Sequence, residues 1–311
     1  MKRTILIITA SVLMLISLLS LECDASSGNT GTHGAQFLKL GVGGRAIAMG
    51  DAFVGLANDG SAIYWNPAGL AGINRIELSF MHLFWLGDIS YEYFAHVQPF
   101  GKWGVFGWSI AYLHMDKLEG RNHQGEPIPD FTSSDMAITF SHGHKITDNL
   151  LFGVSIKYIN EKIEDQNAYA FAFDLGGLYE TLLEGLFLGG TVQNWGEDIT
   201  FVNEPCKLPM VFKAGASYGY TLAGNPMNFV MDIYFPSDNK TSLHLGTECI
   251  FKNVLAGRIG YKNGSDLGTA SGLSFGLGFE ATKTITYRID YGFVPQGVLG
   301  NTHTISLLVC F

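Results

Sequence analysis

The second half of the chain alternates between apolar and polar residues with a period of two. In residues 284–293 the odd positions are Ile, Tyr or Phe, and the even positions are Thr, Arg, Asp or Gly. Residues 272–280, 211–220 and 152–158 repeat the pattern. Because successive side chains of a strand point to opposite faces, each stretch is predicted to be a β-strand with one apolar face.

Extending the pattern along the chain predicts fourteen strands, an even number. They lie near 75–86, 88–100, 103–116, 133–145, 149–163, 168–181, 184–195, 208–220, 226–237, 240–252, 253–263, 268–280, 283–294 and 301–311. Most connections after even-numbered strands are tight, whereas residues 117–132 and 196–207 form longer loops. Short turns at one end and longer loops at the other are typical of outer-membrane barrels.

Alternation alone does not decide whether the apolar face meets lipid or a protein core, since a soluble sandwich also alternates. Three features favour lipid. The polar face consists mostly of Gly, Ser and Thr with single charges. The alternating stretches run about 9–13 residues, the length that a tilted membrane strand needs. Aromatic residues gather near strand ends, as interfacial girdles do. The sequence therefore predicts an all-β, antiparallel transmembrane β-barrel.

The composition agrees with this prediction. Charged residues make up 15% of the chain, against roughly 25% in ordinary soluble domains. The net charge of −9 and the absence of a basic run argue against binding of nucleic acid. After the N-terminus no apolar run reaches the length of a membrane helix, and widely spaced Cys206, Cys249 and Cys310 suit neither a disulfide framework nor a metal knuckle.

The N-terminus has the pattern of a secretory signal peptide. Lys2 and Arg3 precede an apolar run over residues 5–21, and a small-residue exit follows, with cleavage expected after Ala25. A retained membrane anchor is the alternative, because the run approaches a spanning length. Lipidation of Cys23 is disfavoured by the preceding Glu22. The predicted location is the bacterial outer membrane, with outer-membrane lipid around the barrel.

Residues 26–74 do not alternate. They are rich in Gly and predict one or two short helical turns in a compact coil; a disordered exported leader is the alternative. Fourteen strands enclose more space than wall side chains fill. We therefore predict three parts: a signal peptide (1–25), a plug inside the lumen (26–74) and the barrel (75–311).

The stretch Tyr64-Trp65-Asn66-Pro67-Ala68-Gly69-Leu70 ends this segment. Asn-Pro predicts a turn, and we expect it to be the hinge at which the chain leaves the plug and enters the first strand. Tyr64 and Trp65 would wedge the plug against the wall.

Here the chain resembles a known family. Phe37-Leu38-Lys39, Gly44-Arg45-Ala46, Ala48-Met49-Gly50-Asp51-Ala52, Asn58-Asp59 and the Trp65-Asn66-Pro67-Ala68-Gly69 turn are similar to the N-terminus of PorV/PorQ-type (UPF0164-like) outer-membrane proteins, relatives of the FadL (OMPP1/FadL/TodX) channels. The resemblance implies a fourteen-stranded barrel with its N-terminal segment in the lumen. Members of the PorV type resemble accessories of type IX secretion, and FadL members take up hydrophobic molecules.

Charged residues on the polar face form the main candidate site. They are Lys157, Lys213, Asp232, Glu248, Arg258, Glu280, Arg288 and Asp290. Their natural partners are Arg45, Asp51 and Asp59 of the plug, because charges in a closed lumen must find counter-charges. The pairs would either fix the plug or line a gated passage.

No catalytic grouping stands out, and we expect neither an enzyme nor a cofactor. His142 and His144 share one face of a strand, which would hold a metal only with further ligands; no metal is expected. Gly41-Val42-Gly43-Gly44 lacks the βαβ context of a dinucleotide fingerprint.

Two functional hypotheses follow from the resemblance. The first is an accessory of protein secretion or surface attachment, with secretion proteins or cargo bound at the outer loops. The alternative is a FadL-like channel for long-chain fatty acids or other hydrophobic solutes.

Overall fold

The computed structural model describes residues 31–263 and 272–311, and within them the chain is almost entirely β-structure. The strands, in chain order, are β1 (Glu77–Phe84), β2 (Ile89–Pro99), β3 (Val105–Met115), β4 (Leu118–Arg121), β5 (Pro127–Phe131), β6 (Ser133–Lys145), β7 (Leu150–Ile163), β8 (Gln166–Glu180), β9 (Leu186–Gly196), β10 (Ile199–Phe201), β11 (Glu204–Cys206), β12 (Val211–Leu222), β13 (Asn225–Pro236), β14 (Ser242–Phe251), β15 (Leu255–Lys262), β16 (Leu273–Thr282), β17 (Thr286–Pro295) and β18 (Asn301–Cys310).

Fourteen of these strands form one closed antiparallel barrel, as the alternation predicts. The order around the wall follows the chain, with the hairpins β4–β5 and β10–β11 left outside the ring. β1 closes the barrel by pairing with β18, so that Phe80 lies opposite Leu307. Closure gives every wall strand two partners, which removes the unpaired backbone groups of a sheet edge.

The two ends of the barrel differ. One end, here called the turn end, carries tight turns such as Lys252-Asn253, where both residues have a left-handed φ (51° and 55°), as tight hairpins favour. The opposite end, the loop end, carries the hairpins β4–β5 and β10–β11, which the sequence did not predict within its two long loops. The N–H of Phe311 donates to the carbonyl of Ile76, so the C-terminus lies beside the entry to β1 at the turn end.

The wall is apolar outside and small or polar inside. In β16, Phe275, Leu277 and Phe279 are exposed, whereas Gly276 and Gly278 between them are buried. The apolar face predicted to meet lipid is thus the outer face. Among the described residues, no helix combines the length and apolar character needed to cross a membrane.

The described residues before β1 fill the lumen and are here called the plug. They include two short helices, α1 (Gly44–Ile47) and α2 (Ala62–Trp65), and the 3-10 turns Gln36–Lys39 and Pro67–Gly72. The plug begins near the loop end, where the N–H of Gly34 donates to the carbonyl of Lys207. The predicted signal peptide lies outside the described residues.

Candidate functional site

The plug is seated on inward-facing glycines of the wall. At each of these positions an added Cβ would meet plug atoms within 4 Å; they are Gly107, Gly143, Gly153, Gly176, Gly189, Gly215, Gly246, Gly260, Gly276 and Gly292. At Gly153 the Cβ would overlap Pro67 and Ala68, and at Gly260 it would overlap Met49 and Gly50. Since only glycine allows such a close approach of two backbones, the high glycine content of the strands is explained by contact with the plug.

The Asn66-Pro67 turn anchors the plug to the wall. The buried Asn66 amide donates to the carbonyls of Val54 (3.0 Å) and Gly177 (3.1 Å), and its Oδ1 accepts from the Ala68 N–H (3.2 Å). The last bond caps the 3-10 turn that Pro67 begins. At Gly69 any side chain would overlap the Ala57 carbonyl. The turn therefore rests on β7 and β8, and the expected hinge into β1 is wrong: the 3-10 turn and a short linker come between them.

Six charged side chains close into a ring that joins plug and wall. Plug and wall contribute two and four members respectively: Arg45 and Asp59, then Glu248 (β14), Arg258 (β15), Arg288 and Asp290 (both β17). Around the ring, Glu248 is bound by Arg45 (2.8 Å) and by Arg258 (2.6 Å). Asp290 is bound by Arg258 (2.9 Å) and by Arg288 (3.0 Å).

Asp59 completes this ring. Its carboxylate accepts from Arg45 at 3.1 Å and from Arg288. The ring holds three cations and three anions, so it is formally neutral. Burial alone would raise the pKa of Asp59, but the guanidinium groups of Arg288 and Arg45 hold that pKa well below its usual range. Asp59 is therefore an anion at neutral pH.

Lys213 on β12 lies in a cage of aromatic rings from both parts of the molecule. Its ammonium is 5.4 Å from the ring of Tyr64, 5.2 Å from that of Trp65 and 4.4 Å from that of Tyr234. The Trp65 indole donates to the Val42 carbonyl at 2.8 Å. Cation–π attraction strengthens when the cation is desolvated, so this cage is a second contact that holds the plug.

Asp232 makes a third contact. Its Oδ2 accepts from the backbone N–H groups of Phe53 (2.7 Å) and Val54 (2.8 Å) in the plug. The carboxylate is fully buried and its other oxygen has no hydrogen-bond partner.

The remaining predicted charges lie outside the charged ring. Asp51 pairs with Lys262 (2.8 Å), and Lys157 pairs with Asp174 (2.7 Å). Neither Lys262 nor Asp174 was predicted as a partner from the sequence, although each lies at an inward-facing position of its strand. Glu280 faces inward near the turn end, and within the described residues it forms no ion pair.

Polar side chains also occur on the outer face, and this group was not predicted from the sequence. Nδ1 of His82 (β1) lies 2.7 Å from Oε1 of Glu92 (β2), and Nε2 of His114 (β3) lies 3.9 Å from the same oxygen. We call these three residues the outer cluster. Their side chains are 35–41% exposed, on the face that alternation turns away from the lumen. The sequence contained the information, because His82 lies at an even-numbered position and therefore shares the outer face with Phe80 and Phe84.

An apolar groove of about 510 Å³ runs down the wall from the outer cluster. Its outward lining is Phe80, Phe94, Ile110, Tyr112, Ile305 and Leu307, with His82 and Glu92 at its loop-end side. Behind it, a cavity of about 30 Å³ lies beside the charged ring. Both spaces are lined by Phe80, Met81, Tyr93 and Leu307. The wall at β18, β1 and β2 is thus a thin partition between the plug and the membrane face.

In the described part of the chain, no three His, Cys, Asp or Glu side chains are grouped so that they could hold a metal ion. Nε2 of His142 donates to the Trp103 carbonyl (2.8 Å).

The fold resembles that of the FadL/TodX-type outer-membrane barrels. It is similar to the toluene transporter TodX of Pseudomonas putida, with a TM-score of 0.62, 14% identity, and coverage of 87% of this chain and 97% of TodX. The toluene transporter TbuX of Ralstonia pickettii is similar with a TM-score of 0.59 and 14% identity, and the match covers 87% of this chain and 97% of TbuX. A FadL homologue of Pseudomonas aeruginosa is similar with a TM-score of 0.51 and 10% identity, and the match covers 87% of this chain and 98% of the homologue. The fold resembles transporter and channel barrels.

A protein-family model matches the first part of the chain. Residues 19–168 match UPF0164, described as an uncharacterised protein family. A UPF0164 protein of Treponema pallidum (strain Nichols) is 40% identical over 87 residues, which is 28% of this chain and 22% of the relative. A second is 37% identical over 62 residues, 20% of this chain and 19% of the relative. The matched stretches span about a fifth of these relatives.

Proposed function

We propose that the protein is an outer-membrane channel for hydrophobic solutes, and that the solute crosses the wall at β1 and β2. The observation that carries this proposal is the partition at Phe80, Met81, Tyr93 and Leu307, which separates the plug-side cavity from the apolar groove. The plug closes the lumen along the barrel axis, so a lateral route avoids moving the plug out. The likeness in fold to toluene transporters and a FadL homologue supports the same solute class.

Uptake by cells that express the protein tests this role. Labelled toluene and a labelled long-chain fatty acid are offered separately, and Met81→Trp is compared with wild type. Met81 is buried at the partition, so the larger ring should block passage and reduce uptake several-fold. Met231→Trp is the control, because Met231 faces outward on β13, far from the groove. Equal uptake by wild type, Met81→Trp and cells without the protein would refute the channel.

The location is tested independently. A closed barrel in the outer membrane should migrate faster on a gel before boiling than after it, and should be recovered in outer-membrane fractions. Recovery from the soluble periplasm would contradict both functional hypotheses.

The accessory role of the PorV/PorQ type is the second candidate. It is favoured by the filled lumen and by the hairpin β4–β5, which is exposed at the loop end, whereas β10–β11 buries Ile199. Secretion proteins or cargo would bind there. A pull-down with wild type and with a variant in which residues 119–130 are replaced by a short Gly-Ser turn tests it. Loss of a secretion component only from the variant would support this role, and recovery of none from either would contradict it.

A further inference from the structure

The outer cluster is unusual because it places charge on the lipid face. Among the described barrel strands, Glu92 is the one carboxylate at an outward position. The outward residues of β12 to β17 include no Asp, Glu, Lys, Arg or His. Ionisable groups facing a membrane are costly and are kept where they serve a binding or transport role.

The cluster also has open hydrogen-bonding capacity. Oε1 of Glu92 faces the two histidines, whereas Oε2 has no hydrogen-bond partner among the described residues. Nε2 of His82 is buried and has no partner either. With Nδ1 of His82 donating to the carboxylate, Nε2 of the neutral ring is an acceptor. Glu92 Oε2 is therefore the accessible acceptor of the cluster, and the carboxylate adds a negative charge.

The surroundings define the rest of the ligand. The strand register places His82, Glu92 and Tyr112 in one row, and Leu307, Phe80, Phe94 and Ile110 in the next row toward the middle of the barrel. His82 lies two residues from the loop-end terminus of β1. A polar row near the membrane boundary above an apolar row in the hydrocarbon region matches a molecule with a polar head and an alkyl tail.

We propose that this groove binds an amphiphile with a hydrogen-bond-donating, cationic head, of the primary alkyl-ammonium class. The ammonium donates to Glu92 Oε2, and the tail lies along Phe80, Phe94 and Leu307. That this amphiphile is also the solute that crosses the wall rests on the proposed function; the binding itself does not.

Fluorescence quenching in phosphatidylcholine nanodiscs tests the binding, since the choline head offers no N–H donor. Trp108 is the reporter, because its ring centroid is 5.0 Å from that of Phe94 in the groove. Trp85, Trp103 and Trp195 are changed to Phe, and the buried Trp65 is kept. Three probes of equal chain length are titrated: a bromoalkyl amine, a bromoalkyl carboxylate and a bromoalkane. The amine should reach half-quenching at a concentration about ten-fold lower than the carboxylate, as one charge-assisted hydrogen bond implies.

Glu92→Gln keeps the shape of the side chain and removes its charge, so the preference for the amine should fall to about two-fold or less. Glu280→Gln, inside the barrel, is the matched control and should keep the full preference. Equal quenching by the three probes in wild type, or preference for the carboxylate, would overturn the proposal, and this arm stands even where Glu92→Gln does not fold.

The two proposals fail separately. Loss of uptake in Met81→Trp with the amine preference intact supports both of them. Absent uptake by wild type with the preference intact would refute the channel alone, and absent preference with normal uptake would refute the amphiphile site alone.

Discussion

The charged ring inside the barrel and the outer cluster both pair carboxylates with basic side chains. They differ in how many of their polar atoms have a partner. In the ring, each of the three carboxylates contacts two guanidinium groups, and Glu248 is completely buried. In the outer cluster, one carboxylate oxygen and one imidazole nitrogen have no partner within the described chain.

This difference separates a structural role from a binding role. Desolvated charges stabilise a fold only when their partners are complete, and removal of one partner leaves an unpaired buried charge. A partly exposed, incompletely paired cluster adds little to stability and leaves atoms free for a ligand. Replacement of Glu by Gln should therefore reduce stability strongly in the ring and only slightly in the outer cluster.

The largest effect is expected for Glu248→Gln. The change keeps the shape but leaves Arg45 and Arg258 without their shared anion, so the free energy of unfolding should fall by about 3–5 kcal/mol. The loss is measured by titrating denaturant into the protein in micelles and following the fraction that still migrates on a gel as the folded barrel. Protease access to the plug should rise at the same time, because Arg45 is the plug's contact to Glu248. A loss below about 1 kcal/mol would mean that the ring does not hold the plug.

Trp65→Ala should follow, with a loss of about 3 kcal/mol. The substitution removes a fully buried ring, its bond to the Val42 carbonyl and one wall of the Lys213 cage. We expect faster proteolysis within residues 31–60 and raised conductance in planar bilayers, with the barrel still heat-modifiable. Trp195→Ala, at an exposed ring on β9, is the control. Unchanged proteolysis in Trp65→Ala would make the Asn66-Pro67 region an ordinary turn.

The fold could be predicted from the sequence because each strand carries its own period. The odd and even positions of each strand separate its outer from its inner face. The inward orientation of Arg258, Arg288 and Asp290 could therefore be predicted directly from the sequence. The ring did not follow, since it depends on where the plug backbone lies against β14 to β17, and one residue of shift would change every partner. The outer cluster could have been found from parity, because Glu92 alternates with Tyr91 and Tyr93 and shares the face of Phe94.

The hinge was mispredicted for a related reason. Asn-Pro specifies a turn locally, but which strands the turn contacts is decided by the glycines at 153 and 176. Those glycines are more than 80 residues away in the chain, so no local pattern connects them to Asn66.

A smaller effect is expected from acid, and it tests the charge of Asp59 in the ring. The folded pKa of Asp59 lies below its unfolded value because Arg288 and Arg45 outweigh its burial. Its contribution to stability is therefore fully present above about pH 4, the usual range of an unfolded aspartate, and is lost as the pH falls toward the folded pKa. The loss should be on the order of 2 kcal/mol, measured as thermal unfolding between pH 7 and pH 3. In Asp59→Asn, which starts less stable, this part of the pH dependence should disappear; an unchanged slope would contradict the assignment.

The smallest effect on stability is expected for Glu92→Gln, the outer counterpart of Glu248→Gln. Its side chain is 41% exposed and meets only histidines, so the free energy of unfolding should change by less than about 1 kcal/mol. The measurement is the same denaturant titration, made in nanodiscs without added amphiphile. A loss as large as that of Glu248→Gln would show that the outer cluster is part of the fold's own charge network. A small change in stability together with a lost preference for the alkyl amine would separate the two clusters by function, because the same loss of one carboxylate charge would then unseat the plug at one site and release a ligand at the other.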